Sequence, residues 1–111
     1  MTTNQNLNLE VFSSPEFGQM RILAENRKYL FCASDAATAL GYSNPRSALQ
    51  WHCKGVVKRD TLTSGGTQTL SYISEGDLYR LIVHSKLPGA EKFEHWVFDE
   101  VLPCIRKHAA I

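Results

Sequence analysis

Leu7, Leu9 and Val11 alternate with Asn6, Asn8 and Glu10, the period-two pattern of a half-buried strand, which predicts β structure over 7–11. Ser13-Ser14-Pro15 breaks it. A second strand is predicted over 17–25, with Met20, Ile22 and Ala24 on one face and Gln19, Arg21 and Glu25 on the other. Leu23 spoils that alternation. Asn26-Arg27-Lys28 reads as a hairpin turn into the apolar run Tyr29-Leu30-Phe31-Cys32-Ala33, which suits a central strand covered on both faces.

The period then becomes helical. Ser34 offers an N-cap, Asp35 sits at the positive end of the helix dipole, and Ala36, Ala37 and Leu40 lie at helical spacing over 34–40. Gly41 supplies a left-handed C′ position. Asn44-Pro45 restarts a helix over 45–52, with Asn as cap and Pro where no N–H is needed. Ala48, Leu49 and His52 form one stripe of it, Arg46 and Gln50 another, with Lys54 just beyond.

Two strands, 56–63 and 67–73, flank the turn Ser64-Gly65-Gly66. Neither phase of the first is cleanly apolar: Val56/Lys58/Asp60/Leu62 stand against Val57/Arg59/Thr61/Thr63. Such a hairpin is expected to project from the body. Ser74 and Asp77 resemble a capping box for a helix that turns Leu78, Leu81 and Ile82 inward. After Lys86-Leu87-Pro88-Gly89, another helix groups Phe93, Trp96, Val97 and Val101. Pro103 ends or kinks it, and 104–108 form a last short helix. The expected fold is α+β: a small, mainly antiparallel sheet of about five strands with about five short helices. It includes a helix-turn-helix-like pair and a projecting polar hairpin. Residues 1–6 and 109–111 read as tails around one domain over 7–108.

Composition narrows the class. At 111 residues and 12.5 kDa, with 43% hydrophobic and 21% charged residues, the chain is a globular domain and not a disordered polyanion or polycation. No apolar run approaches the ~18 residues of a membrane span. The first six residues have no basic region or apolar stretch of a secretory signal. Three cysteines without a close pair point to reduced thiols and a cytoplasmic location. The net charge of +1 is unevenly placed. Residues 1–45 and 61–111 each carry a net −1, whereas residues 46–60 carry Arg46, Lys54, Lys58 and Arg59 against Asp60 alone.

Catalytic chemistry finds little support. Cys32 and Cys104 read as packing residues. His52-Cys53 lacks a CxxC, an HxxxH or a second pair at metal-ligand spacing, so no metal is expected. Glu91, Glu94 and Asp99 share a helix with Lys92 and His95, a solvated face. Asp35, Asp60 and Asp77 are scattered, so a metal-dependent nuclease has no carboxylate cluster to work with. Gly65-Gly66 is a turn, with no phosphate-cradling pattern around it. No catalytic residue, cofactor or metal site is expected.

The constellation with chemical content is the helix pair and hairpin. Arg46 and Gln50, with Ser47 between them, lie on the exposed side of the second helix; Arg bonds guanine O6 and N7 bidentately, and Gln does the same with adenine N6 and N7. Lys54, Lys58 and Arg59 follow, placed to neutralise phosphates. Polar hairpin residues, among them Thr67 and Gln68, are suited to lie along a backbone like a wing. His52 reads as a core histidine, and Trp51 as packing or as a partner anchor.

The residues also carry a resemblance. Phe31-Cys32-Ala33-Ser34-Asp35-Ala36-Ala37 leading to Ala39-Leu40-Gly41-Tyr42-Ser43-Asn44-Pro45 resembles the signature of the Bro-N domain. So, in order, do Gly65-Gly66-Thr67-Gln68, the run from Ile73 to Ile82, Lys86-Leu87-Pro88-Gly89-Ala90-Glu91-Lys92-Phe93, and Trp96-Val97 with the run from Glu100 to Lys107. This is the N-terminal domain of Bro-family proteins of large DNA viruses and of many phage and prophage antirepressors. The likeness covers about 17–108. It implies double-stranded DNA as partner, a role in transcription regulation and no catalytic residues. Many relatives continue into a second, C-terminal domain that these 111 residues do not contain. The other expectation is a protein-interaction module that captures a phage repressor without touching DNA. Homodimer formation would suit the DNA-binding expectation, since small DNA binders often double their half-sites.

Overall fold

Five antiparallel strands in the order β1-β2-β3-β5-β4 form one sheet, and helices cover one of its faces. The structure, a computed structural model, describes residues 9–109 except Lys86; the tail 1–6 and Leu7 lie outside it. The elements are β1 (Leu9–Ser14), β2 (Gly18–Glu25), β3 (Lys28–Cys32), α1 (Ala33–Ala39), α2 (Pro45–His52), β4 (Val57–Thr63), β5 (Gly66–Ile73), α3 (Glu75–His84), α4 (Ala90–Trp96), a π turn (Val97–Val101) and α5 (Leu102–Ala109). The α+β class, the central β3 and both hairpins agree with the sequence reading.

The sheet has apolar cover on both faces. Met20, Ile22, Phe31 and Ile73 face the helices and meet Ala36, Leu40, Leu78, Leu81, Phe93 and Val97 in the main core. Each fully buried Leu, Ile or Phe contributes about 1.5–3 kcal/mol of transfer free energy. Leu23, Cys32 and Tyr72 form a smaller cluster apart from that core, packed with Leu9, Leu30, Val57 and Leu70. That second cover explains why Leu23 breaks the alternation of β2.

Local backbone chemistry holds where it was read. Asn26 and Arg27 both adopt positive φ, so Glu25 and Lys28 pair across a two-residue turn. Gly41 has φ +81°; its N–H reaches Thr38 O and the Tyr42 N–H reaches Ala37 O, the paired bonds of a Schellman closure. Asn44 Oδ1 accepts from the Ser47 N–H at 3.2 Å with Pro45 in the first turn.

Four expectations are corrected. Ser34 is not the cap of α1: β3 runs straight into the helix, Cys32 occupies the cap position without a side-chain bond, and Asp35 instead takes a bidentate Arg21. β1 continues through Ser13 and Ser14 and ends only before Pro15, and Val11 is 52% exposed, so β1 buries less than its alternation implies. Pro103 does not break its helix. The Leu102 N–H bonds Val97 O, five residues back, so the chain is already in π register where the proline removes a donor; α4, the π turn and α5 run on without a gap, giving four helical bodies and not five. Cys104 is exposed on that helix, whereas Cys32 is fully buried as expected.

Candidate nucleic-acid interface

Helix α2 buries little of itself. Ala48 is buried and Leu49 half-buried, facing the core. His52 is half-buried, stacked on His84 with ring centroids 4.4 Å apart and 6.0 Å from Tyr42. Burial, then the neighbouring His84, pushes the His52 pKa down. Tyr42 is pinned from its other end, its hydroxyl donating to Leu81 O at 2.6 Å. The rest of α2 faces water: Arg46 and Gln50, one turn apart, are exposed, Ser47 is half-buried, and Trp51 is 80% exposed. Trp51 is therefore not a packing residue.

The exit of α2 is fixed by a carboxylate from another element. Asp77, 1% exposed, accepts the backbone N–H groups of Lys54 at 3.0 Å and Gly55 at 2.9 Å, and an Arg80 guanidinium N–H at 2.6 Å. Burial alone would raise its pKa. The two backbone bonds and Arg80 outweigh burial and hold the carboxyl below its ordinary value. Ser74 does cap α3, accepting the Asp77 N–H at 3.2 Å. The reciprocal half of the proposed capping box is absent, because the Asp77 side chain is turned to the α2–β4 link. That link sets where the hairpin leaves relative to α2.

The hairpin divides its residues by strand phase. Cross-strand partners share a face, so Lys58, Asp60 and Leu62 stand with Ser71, Thr69 and Thr67. Val57, Arg59 and Thr61 stand on the other face with Tyr72, Leu70 and Gln68. This second face closes on the smaller cluster. The Thr61 and Tyr72 hydroxyls are 2.8 Å apart and buried, and Arg59 donates to Glu25 at 2.9 and 2.8 Å. The bond from Arg59 holds the Glu25 carboxyl below its usual value. β5 pairs with β3 only at Phe31–Ile73 and Cys32–Tyr72, so from Gly66 to Ser71 it pairs with β4 alone and the hairpin projects.

Between α2 and the outward hairpin face lies a cleft of about 420 Å³, lined by Ser34, Arg46, Leu49, Val56, Lys58 and Thr69, among others. Of the residues singled out from sequence, Arg46 and Lys58 meet in this cleft. Gln50 continues the Arg46 face of α2, and Ser47 spends its N–H on the cap. Lys54 is exposed at the helix exit, and Thr67 extends the Lys58 face toward the turn. Arg59 and Gln68 lie on the opposite face of the hairpin. Asp60, also on the outward face, accepts the Thr69 hydroxyl at 2.7 Å. Sequence reasoning missed Thr69 and Val56 as lining residues, although a two-residue turn places Thr69 opposite Asp60. It had no means of finding Asp77 or Glu25 as partners. Among the described residues no group of three His, Cys, Asp or Glu could hold a metal ion, and no helix is long and apolar enough to cross a membrane.

An antiparallel sheet with a capped helix pair and a projecting edge hairpin defines a small α+β module. The profile of the BRO family, N-terminal domain, matches residues 19–103, and the chain belongs to that family. It is 44% identical over 108 residues to an uncharacterised protein of Haemophilus influenzae, covering 96% of this chain and 54% of that protein. It is 35% identical over 102 residues to a protein of Invertebrate iridescent virus 6 named for its Bro-N domain, covering 72% of this chain and 24% of the relative. It is 28% identical over 110 residues to the Bro-N domain-containing protein ORF2 of Autographa californica nuclear polyhedrosis virus, covering 83% and 34%. The chain thus spans about half the length of the bacterial relative and about a quarter to a third of the viral ones. No solved structure matches it.

Proposed function

We propose that this domain binds double-stranded DNA as the recognition module of a phage- or prophage-type transcription regulator. The observation that carries the reading is the meeting of Arg46 and Lys58, from α2 and β4, in one open cleft. With α2 presented to a major groove, Arg46 and Gln50 reach base edges from successive turns. Lys58 and Lys54 neutralise flanking phosphates, and the Thr67 hydroxyl on the Lys58 face bonds the sugar-phosphate backbone, while the Thr69 hydroxyl stays with Asp60. The Arg59–Glu25 pair takes a structural part, holding the hairpin against the sheet.

Anisotropy titration of a labelled duplex at a series of salt concentrations tests this. Log affinity falls linearly with log salt, with a slope of about −0.9 for each phosphate neutralised. No binding at low salt contradicts the reading.

One observation favours a second reading, capture of a phage repressor protein: Trp51 at 80% exposure is a ready anchor, since tryptophan is enriched among residues that dominate protein interfaces. Co-purification with a repressor, in a chain silent toward DNA and losing the repressor on Trp51→Ala, would establish it.

A further inference from the structure

A second, larger groove of about 780 Å³ lies at the β1 side of the sheet, the edge opposite β4, between the β1–β2 turn and α4. Its floor is aromatic. Phe17 stacks on Trp96 with centroids 5.7 Å apart and meets Phe93 edge-on at 5.4 Å, and the half-buried Trp96 lines the groove. Its rim is acidic: Glu16, Glu91 and Glu100 are all exposed, and Lys92 is the one lysine or arginine among the lining residues. No ion pair among the described residues engages those three carboxylates. His95, also at the rim, has its Nδ1 2.5 Å from Asp99 Oδ2, which keeps that imidazole directed at its own helix.

An aromatic floor inside a carboxylate rim matches one kind of side chain. A guanidinium lies flat on an indole face, is more weakly hydrated than an ammonium, and donates in its own plane to surrounding carboxylates. A nucleic acid or an acidic peptide is repelled by the same rim. We propose that this groove docks a short basic segment of a partner protein, with an arginine laid on Trp96 among Glu16, Glu91 and Glu100. The proposal is independent of the DNA reading: the two surfaces have opposite sign and occupy opposite sheet edges, so a polyanion at one and a basic segment at the other do not compete.

The two tryptophans of the chain supply the test, since each gives its own indole N–H signal. The intact chain is titrated with blocked tri-arginine peptide, with tri-glutamate as control. Tri-arginine should move the Trp96 indole signal and leave that of Trp51 in place, and tri-glutamate should move neither. The variant Glu91→Gln/Glu100→Gln removes charge from exposed, unpaired positions without disturbing the floor. It should weaken tri-arginine by at least about tenfold with the Trp51 signal unshifted. Lys92→Met should tighten it. A tri-arginine titration that spares Trp96, equal affinity in the Gln variant, or a Trp96 response to tri-glutamate or to duplex DNA overturns the proposal.

Discussion

Lys58 and Arg59 are neighbours on β4 and serve opposite faces of the hairpin: Lys58 stands in the cleft with Arg46, while Arg59 reaches Glu25 at 2.8 Å. Two adjacent cations with similar charge are therefore expected to behave differently when removed. Lys58→Ala should weaken binding on any duplex and reduce the salt slope by about 0.9, one phosphate's worth. Arg59→Ala should leave the slope unchanged and cost about 0–1 kcal/mol of folding stability, since the pair is about a third exposed on each side and screened by solvent. Salt-dependent anisotropy and urea unfolding of the two variants separate these outcomes. An Arg59→Ala slope change equal to that of Lys58→Ala would place DNA on the inner face.

Asp77 ties α3 to the exit of α2, and Asp77→Asn should loosen that tie. An amide offers one acceptor where the carboxylate offers two, and turns an N–H₂ toward donors. The expected loss is about 1–3 kcal/mol, read from urea unfolding. The acid limb changes too. The carboxyl titrates below its ordinary 3.8 when folded, so its contribution is complete above that value and is lost as pH falls through the lower folded value. The Asn variant should therefore show a shallower loss of stability below pH 3.8 than the parent. Identical acid limbs would mean that Asp77 is not the group responsible.

Gly41→Ala should be destabilising by about 1–2 kcal/mol, because φ at +81° is left-handed. An added Cβ would also overlap Leu87 Cδ1, but Leu87 is 48% exposed and free to swing into solvent, so the backbone carries the cost. Thermal melts of Gly41→Ala in the parent and in a Leu87→Ala background should then show the same decrement. A decrement that vanishes with Leu87 removed assigns the cost to the overlap.

The three thiols should react in order of exposure. Cys104 is exposed, Cys53 is half-buried with its pKa pushed up to about 11 by burial and by Asp77, and Cys32 is fully buried. Iodoacetamide at neutral pH with peptide mapping should modify Cys104 first, Cys53 slowly, and Cys32 only on unfolding. Early labelling of Cys32 would show that β3 opens in the native state.

What the sequence made legible is local. Asn44-Pro45 and Gly41 act on backbone groups within a few residues, and each does in the fold what its chemistry implies; the turn read as Ser64-Gly65-Gly66 is there too, with Gly66 already in β5 opposite Thr63. The polar hairpin was also readable, because no phase of β4 is apolar. What escaped is set by long-range partners. Asp77 looks like a helix cap until Lys54 and Gly55, 23 and 22 residues earlier, arrive at its carboxylate. Arg59 reads as the twin of Lys58 until Glu25, 34 residues away, pairs with it. Pro103 looks like a helix stop because the π register before it has no sequence marker. The cleft was half legible: the charge cluster could be located, but the division of Lys58 from Arg59 needed the sheet's closed face.

The central claim, that the α2–hairpin cleft is the DNA-facing surface, is tested most directly by two charge-matched variants. Arg46→Gln/Lys58→Gln removes two charges from the cleft; Arg27→Gln/Lys28→Gln removes two from the β2–β3 turn, which lines a different pocket. Both are titrated against the same labelled duplex across a salt series. The cleft variant should lose affinity at every salt concentration, with its slope reduced by about 0.9 for the phosphate that Lys58 neutralises, while the turn variant keeps the parent slope. A parent-like slope in the cleft variant together with a reduced slope in the turn variant would contradict the account.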